Sequence, residues 1–167
     1  MTKSLDLGSG DNIRNEFNAS EVYGVDIDGI ETNNFKIADL SIDPIPFEDN
    51  TFDYVTAFDF LEHIPRVLYL ERKIRNPFIE IMNEVYRVLK PDGVFLAATP
   101  AFPYPQTYQD PTHVNFITDY TVQYFAENGQ VINLGRKYGF KGKFELLGQE
   151  WHPQVNYWLM WQLKAIK

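Results

Sequence analysis

Near the start of the chain, Leu5-Asp6-Leu7-Gly8-Ser9-Gly10 runs from an apolar stretch into small residues. Glycines at such a turn let the backbone bend sharply and approach a ligand with no Cβ in the way. Downstream, Val22-Tyr23-Gly24-Val25-Asp26-Ile27-Asp28 ends a second apolar stretch in acids. A carboxylate there can accept hydrogen bonds from both hydroxyls of a ribose, and its spacing from the glycines falls a little under the ~20 residues typical of such pairs. Alone, Gly-x-Gly is a weak signal, because it also closes ordinary tight turns. The pair, each member at the carboxyl end of a predicted strand, points to a nucleoside-containing cofactor and leaves open which one.

Charge narrows the choice. The third glycine of G-x-G-x-x-G is absent, since Asp11, Asn12 and Ile13 follow Gly10. Asp11 beside a pyrophosphate would add like-charge repulsion, which counts against a nicotinamide dinucleotide. S-adenosylmethionine has no phosphate and bears a sulfonium cation, so carboxylates at Asp6 and Asp11 suit it. Asp11 would serve equally well as a helix N-cap.

Two later segments carry residues suited to an acceptor. In Arg66–Asn76, Arg66, Arg72, Lys73 and Arg75 oppose only Glu71. This basic island would hold a carboxylate or phosphate, or else form a solvated face that balances neighbouring acids. Pro100–Ile117 is rich in proline and aromatics and contains Asp110-Pro111-Thr112-His113-Val114. His113 is the candidate general base, because its ordinary pKa suits proton transfer near neutrality, and its bland alternative is a loop hydrogen bond. Tyr108 is grouped with it as a candidate catalytic residue, while Tyr104, Arg66, Arg72 and Arg75 are candidate acceptor-binding residues.

These residues need a scaffold to position them. The chain has 167 residues, 44% of them hydrophobic and 16% aromatic, enough to build one core. We expect a single domain over 1–167. Lys+Arg 15 against Asp+Glu 23 leaves a net charge of −8, which disfavours nucleic-acid binding. With no cysteine there is neither a disulfide framework nor a thiolate zinc site, and no metal is expected. Neither a signal peptide nor a membrane span is evident, so a cytoplasmic protein that avoids membranes is expected. Strands are predicted at Ser4–Leu7, Val22–Ile27, Phe35–Ala38, Phe52–Phe58 and Val94–Thr99. Asn12–Asn18 is expected to form a short helix. A long one is predicted where Phe78, Ile81, Met82, Val85, Val88 and Leu89 recur at helical spacing, with Pro77 in its first turn and Pro91-Asp92-Gly93 as its stop. A further helix, Asp119–Glu127, would be capped by Thr118 and ended by Asn128-Gly129. Phe144–Glu150 and Val155–Ile166 lie too close together for a parallel crossover and must form an antiparallel hairpin.

In their order along the chain, LDLGSGD, VYGVDID, ADLSIDPIPFEDNTFDYVTAFDFLEHI and EVYRVLKPDGVFLAATP resemble the class I, Rossmann-like S-adenosylmethionine-dependent methyltransferases of small-molecule type. The resemblance covers Ser4 to Pro100. It implies an α/β fold with a doubly wound, mostly parallel seven-stranded sheet of order 3-2-1-4-5-7-6, ending in the antiparallel hairpin. It further implies that Gly8, Ser9 and Gly10 lie against the methionine part of the cofactor, with Asp6 orienting its amino group. Asp26 would take the ribose hydroxyls, Ile27 would pack on the adenine, and Asp39 with the Leu40 backbone would face the adenine amino edge. Phe58 and Asp59 would border the methionine tail, and Glu62-His63 would support a helix start beneath the site. Asn12 stands where many relatives carry a further glycine.

By this reading the cofactor is S-adenosylmethionine, S-adenosylhomocysteine is the product, and a methyl group passes to a small molecule. A non-catalytic binding or assembly module of the same fold is the second reading, and a nicotinamide-dependent oxidoreductase the third. Relatives place one or two helices before the first strand. This chain is read as lacking those N-terminal helices, and a homodimer is expected to cover the apolar sheet they would leave.

Overall fold

The structure is a computed structural model and describes residues 1–127 and 133–167. In chain order the strands are β1 (Lys3–Leu7), β2 (Glu21–Asp26), β3 (Phe35–Ile37), β4 (Phe52–Phe58), β5 (Leu68–Leu70), β6 (Lys73–Arg75), β7 (Leu89–Pro100), β8 (Ala126–Glu127), β9 (Phe144–Trp151) and β10 (Trp158–Ala165). Helix α1 (Pro77–Val88) precedes β7, and a single turn, α2 (Gln106–Gln109), follows it. One sheet has the order β3-β2-β1-β4-β7-β10-β9-β8, and β5 and β6 pair separately. Without that hairpin and the two-residue edge strand β8, the order is the expected 3-2-1-4-5-7-6. Strands β3, β2, β1, β4 and β7 are mutually parallel, and β10 runs antiparallel to both β7 and β9.

Side chains alternate across a strand. On one face of the sheet Leu5, Leu7, Val25, Val55, Ala57, Phe95, Ala97, Trp161 and Leu163 are all buried in a single cluster with Phe78, Ile81, Met82, Val85 and Val88 of α1. That apolar stripe is what the periodicity required, and Pro77 stands in the first turn of the helix. The opposite face carries Tyr54, Thr56 and Phe58 of β4. There Phe17 stacks on Tyr54 with ring centroids 4.3 Å apart.

Several expected elements take another form. Residues 12–18 are not helical. The Asn15 side chain bonds both backbone groups of Ala19, and the Arg14 amide is taken by Asp6, so local side-chain bonds replace the helical ladder. Within Asp119–Glu127 only Thr121–Tyr124 winds, as a 3-10 turn, and Ala126–Glu127 pairs with the edge of β9. The stop expected at Asn128-Gly129 lies outside the described residues. Strand β7 begins at Leu89 rather than Val94, with a register shift that absorbs the Pro91–Gly93 turn. The basic segment after β4 is the β5–β6 hairpin, not a helix face, and its turn residues Glu71 and Arg72 both have positive φ. Among the described residues no helix is long and apolar enough to cross a membrane.

Candidate functional site

The glycine turn leaves β1 and is held against the end of β2. Gly8 (φ 66°) and Ser9 both donate their amides to the Val25 carbonyl, at 2.9 and 3.3 Å, and Gly10 (φ 53°) donates to Oδ2 of Asp26 at 2.8 Å. Oδ1 of Asp26 accepts the Ile27 amide at 2.7 Å. The acid is therefore fixed in place by backbone donors, with lone pairs to spare on both oxygens. Ile27 beside it is an apolar residue that is 66% exposed. A Cβ on Gly8 would come within 2.6 Å of the Phe60 ring. On Gly24 it would meet Ser9 Oγ at 2.6 Å and Ile13 at 2.8 Å, so Gly24 sets how closely the turn can lie on β2. Sequence reasoning quoted Gly24 only as part of a strand. A glycine at mid-strand is the signal that finds it.

Asp6 is buried beneath this turn. Thr56 donates to its Oδ1 at 2.6 Å and the Arg14 amide to its Oδ2 at 2.9 Å, while burial pushes its carboxyl above the usual range. Asp39 accepts the Ser41 amide at 3.0 Å, and the Leu40 side chain belongs to the core, leaving only its backbone for any ligand. At the end of β4 the Arg14 guanidinium lies 4.5 Å from the Phe58 ring centroid. Asp59 (φ 48°) accepts the Trp158 indole N–H at 2.7 Å, and desolvation raises its carboxyl. Trp158, on the hairpin, was not foreseen as a site residue. It reaches Asp59 only because β10 lies next to β7.

The turn after β4 and the long segment after β7 are knitted together. The amides of Val114 and Asn115 both donate to the Glu62 carbonyl at 2.9 Å. Asn115, fully buried, donates to the Leu61 carbonyl at 2.9 Å and accepts Arg66 Nε at 2.7 Å. Arg66 also donates to the Phe116 carbonyl at 2.7 Å. These bonds bring the His63 and His113 rings to 4.9 Å, edge to face. The carbonyl of Thr107 lies 3.2 Å from His113 Nδ1 and can only accept, so Nδ1 carries the hydrogen and Nε2 is left with its lone pair. Glu62 is 0% exposed, takes the Thr99 hydroxyl on Oε2 at 2.8 Å, and is pushed up by desolvation to about 7. Glu62-His63 lies in a 3-10 turn, Leu61–His63, and its backbone also anchors the segment after β7.

The basic island does not assemble as one anion site. Arg66 serves the Asn115 clamp, and Arg75 is bonded to Glu80 and to the Ile42 carbonyl. Arg72, at the tip of the β5–β6 turn, and Lys73 beside it are exposed, with no ion pair among the described residues. Tyr104 packs edge-on against Trp151 at 5.1 Å, and Tyr108, half exposed, lies 5.0 Å from Phe116. On the far side of Phe116 a cavity of about 590 Å³ is lined by Phe78, Tyr120, Tyr124, Phe125 and Arg66. None of the glycine-turn residues lines it, so it is separate from the Asp26 edge.

The model of a methyltransferase domain family matches residues 5–97, more than half of the chain, from β1 and the glycine turn into β7. The chain belongs to the class I S-adenosylmethionine-dependent methyltransferases. The cofactor of this family is S-adenosylmethionine. A curated relative, the sterol 24-C-methyltransferase of Schizosaccharomyces pombe, is 47% identical over 51 residues, which are 30% of this methyltransferase chain and 11% of that protein. The chain thus matches only about a tenth of that relative's length. Among solved structures, the complex of the Haloferax volcanii Trm112 methyltransferase activator with a methyltransferase aligns at TM-score 0.64 and 13% identity, covering 99% of this chain and 82% of that one. Phosphoethanolamine N-methyltransferase 1 of Haemonchus contortus, solved with phosphoethanolamine and S-adenosylhomocysteine, aligns at TM-score 0.60 and 14% identity, over 99% and 39% of the two chains. At such identities the structural likeness establishes the fold.

Proposed function

We propose that this methyltransferase transfers a methyl group from S-adenosylmethionine to a small-molecule acceptor by in-line displacement at the sulfonium methyl. The observation that carries the reading is the Asp26 carboxylate, pinned to the Gly10 amide at the carboxyl edge of the parallel strands. In that position it takes the ribose hydroxyls, and exposed Ile27 supplies an apolar surface for the adenine. Asp39 and the Leu40 backbone meet the adenine amino edge. Gly8, Ser9 and Gly10 admit the methionine part, while Asp6 holds the turn from below. Phe58 and Asp59 face the methionine tail, where Asp59 adds negative charge beside a sulfonium.

Methyl transfer needs donor and acceptor held in line with water excluded, and little covalent work from the protein. The acceptor would lie between the end of β4 and the segment after β7, walled by Tyr104 and Tyr108. His113 presents Nε2 to it and takes a proton when the acceptor loses one. Arg72 is the arginine left free to meet an anionic acceptor.

Calorimetry with S-adenosylmethionine, S-adenosylhomocysteine and NAD tests the reading. Binding of both adenosyl ligands and not NAD is expected, and binding of neither adenosyl ligand overturns it. Turnover is then sought by screening metabolites with methyl-labelled cofactor. Binding without turnover on any of them would favour the non-catalytic module.

A further inference from the structure

Glu62, His63 and His113 converge in a cluster of which the methyl-transfer reading uses His113 alone. A carboxylate oxygen of Glu62, one ring nitrogen of His63 and one of His113 all lie within 4.8 Å of one another. Glu62 is 0% exposed, its Oε1 has no hydrogen-bond partner among the described residues, and no ion pair reaches it there. A buried carboxylate with an empty acceptor is costly unless a cation or donor meets it.

The hydrogen bonds give both imidazoles the tautomer that metal-binding histidines carry. The Thr112 hydroxyl spends its hydrogen on Asp110 Oδ1 at 2.6 Å, so toward His63 Nδ1 at 3.0 Å it can only accept. His63 Nδ1 therefore carries the hydrogen, as His113 Nδ1 does toward the Thr107 carbonyl. Each ring is left with a bare Nε2, its other nitrogen tied to an oxygen behind it. The Asp59 and Asp110 carboxylates stand near enough to add negative potential at Glu62.

We propose that Glu62, His63 and His113 form a binding site for one divalent transition-metal cation of the Zn²⁺ type, with a fourth position left to water. Two histidines and one carboxylate are a known donor set for such ions. Ligand bonds of about 2.1 Å require donor atoms no more than about 4.2 Å apart, so the trio must close by up to about 0.6 Å. Small rotations of three side chains supply that. The cation and a proton are alternative occupants of His113 Nε2, so the loaded protein holds a metal where the metal-free protein holds a base. The site stands on its own geometry and not on the methyl-transfer reading.

The test uses the untagged full chain, stripped with a chelator and titrated with Co²⁺ near neutral pH. The d–d absorption of bound Co²⁺ is the readout, and Zn²⁺ competition and S-adenosylhomocysteine calorimetry are run on the same samples. One Co²⁺ per chain is expected, displaced by Zn²⁺, with affinity at least tenfold weaker in His113→Ala, His63→Ala and Glu62→Gln and unchanged in His152→Ala. Circular dichroism verifies folding, and the partly exposed His113 serves as the decisive variant if Glu62→Gln does not fold. No saturable binding overturns the proposal, as does binding that survives His113→Ala or is equally lost in His152→Ala. Failure of Co²⁺ to bind a protein that still takes S-adenosylhomocysteine removes the metal site alone. The converse result removes the cofactor reading alone.

Discussion

The backbone amide of Gly10 points at Oδ2 of Asp26 across 2.8 Å, so the turn after β1 and the acid that ends β2 behave as one unit. Whatever displaces one displaces the other. Asp26→Ala removes the acceptor for the Gly10 and Ile27 amides together with the ribose partner. Calorimetry should show S-adenosylhomocysteine affinity falling at least tenfold, about 1.4 kcal/mol, in a protein that melts close to the parent.

Gly24→Ala tests the same unit from below. Its new Cβ would meet Ser9 Oγ and Ile13, so the turn must lift from β2. A stability loss of about 1–2 kcal/mol is expected, with a larger proportional loss in S-adenosylhomocysteine affinity. Undiminished affinity would show that the turn need not lie this close to β2.

Asn115 links the segments after β4 and β7 through Arg66 and the Leu61 carbonyl. Asn115→Ala should cost roughly 2 kcal/mol in denaturant unfolding, because a buried carbonyl and a guanidinium lose their partner. Arg66→Ala should be milder, since that residue is exposed and of its two partners only Asn115 is buried, while Phe116 lies at the surface.

Glu71 and Arg72 form the β5–β6 turn with φ values of 48° and 65°. Both are left-handed, where a side chain is strained and glycine is not. Arg72→Gly should raise stability by about 1 kcal/mol. If Arg72 also meets an anionic acceptor, KM for that acceptor rises in the same variant, and the two effects are read separately.

Asp6 gives a pH dependence of known sign. Burial raises its folded-state pKa above the usual 3.8, against the opposing bonds from Thr56 and Arg14. The folded protein thus holds this proton more tightly than the unfolded chain, so stability from Asp6 is fully present below the unfolded pKa and is lost as pH rises through the folded one. Asp6→Asn abolishes that component. The stability difference between parent and variant should therefore change across the window just above pH 3.8 and level off beyond it.

Much of this was legible in the sequence, because the signals were local. A strand ending in Gly-Ser-Gly, a second ending in Asp, and the apolar stripe of α1 each declare themselves within a dozen residues, and the strand order followed from the family resemblance. Other relations depended on distant segments meeting. Glu62-His63 and His113 are far apart in sequence, and bonds between the two segments, among them the Glu62 carbonyl taking the amides of Val114 and Asn115 and Asn115 donating to the Leu61 carbonyl, bring them together. The expectation of no metal came from the lack of cysteine, which says nothing of a carboxylate and two imidazoles brought together by the fold. The basic island misled for a related reason. Composition counts charges, but Arg66 and Arg75 spend theirs on Asn115 and Glu80. The helix expected at Asn12–Asn18 failed because Asn15 bonds its own chain instead of continuing a ladder.

The position of β10 bears on how the chain is made. It follows β9 in sequence yet lies between β9 and β7. A ribosome therefore releases β7 with one edge unpaired and must deliver β9 and then β10 before that edge can close. Until then the hydrogen-bonding groups of β7 are open to any strand nearby, and the buried side chains of Leu159, Trp161 and Leu163 have not yet reached the core. The protein should thus depend on chaperone protection until β10 has emerged, and stalling within β10 should produce aggregates where stalling after α1 does not.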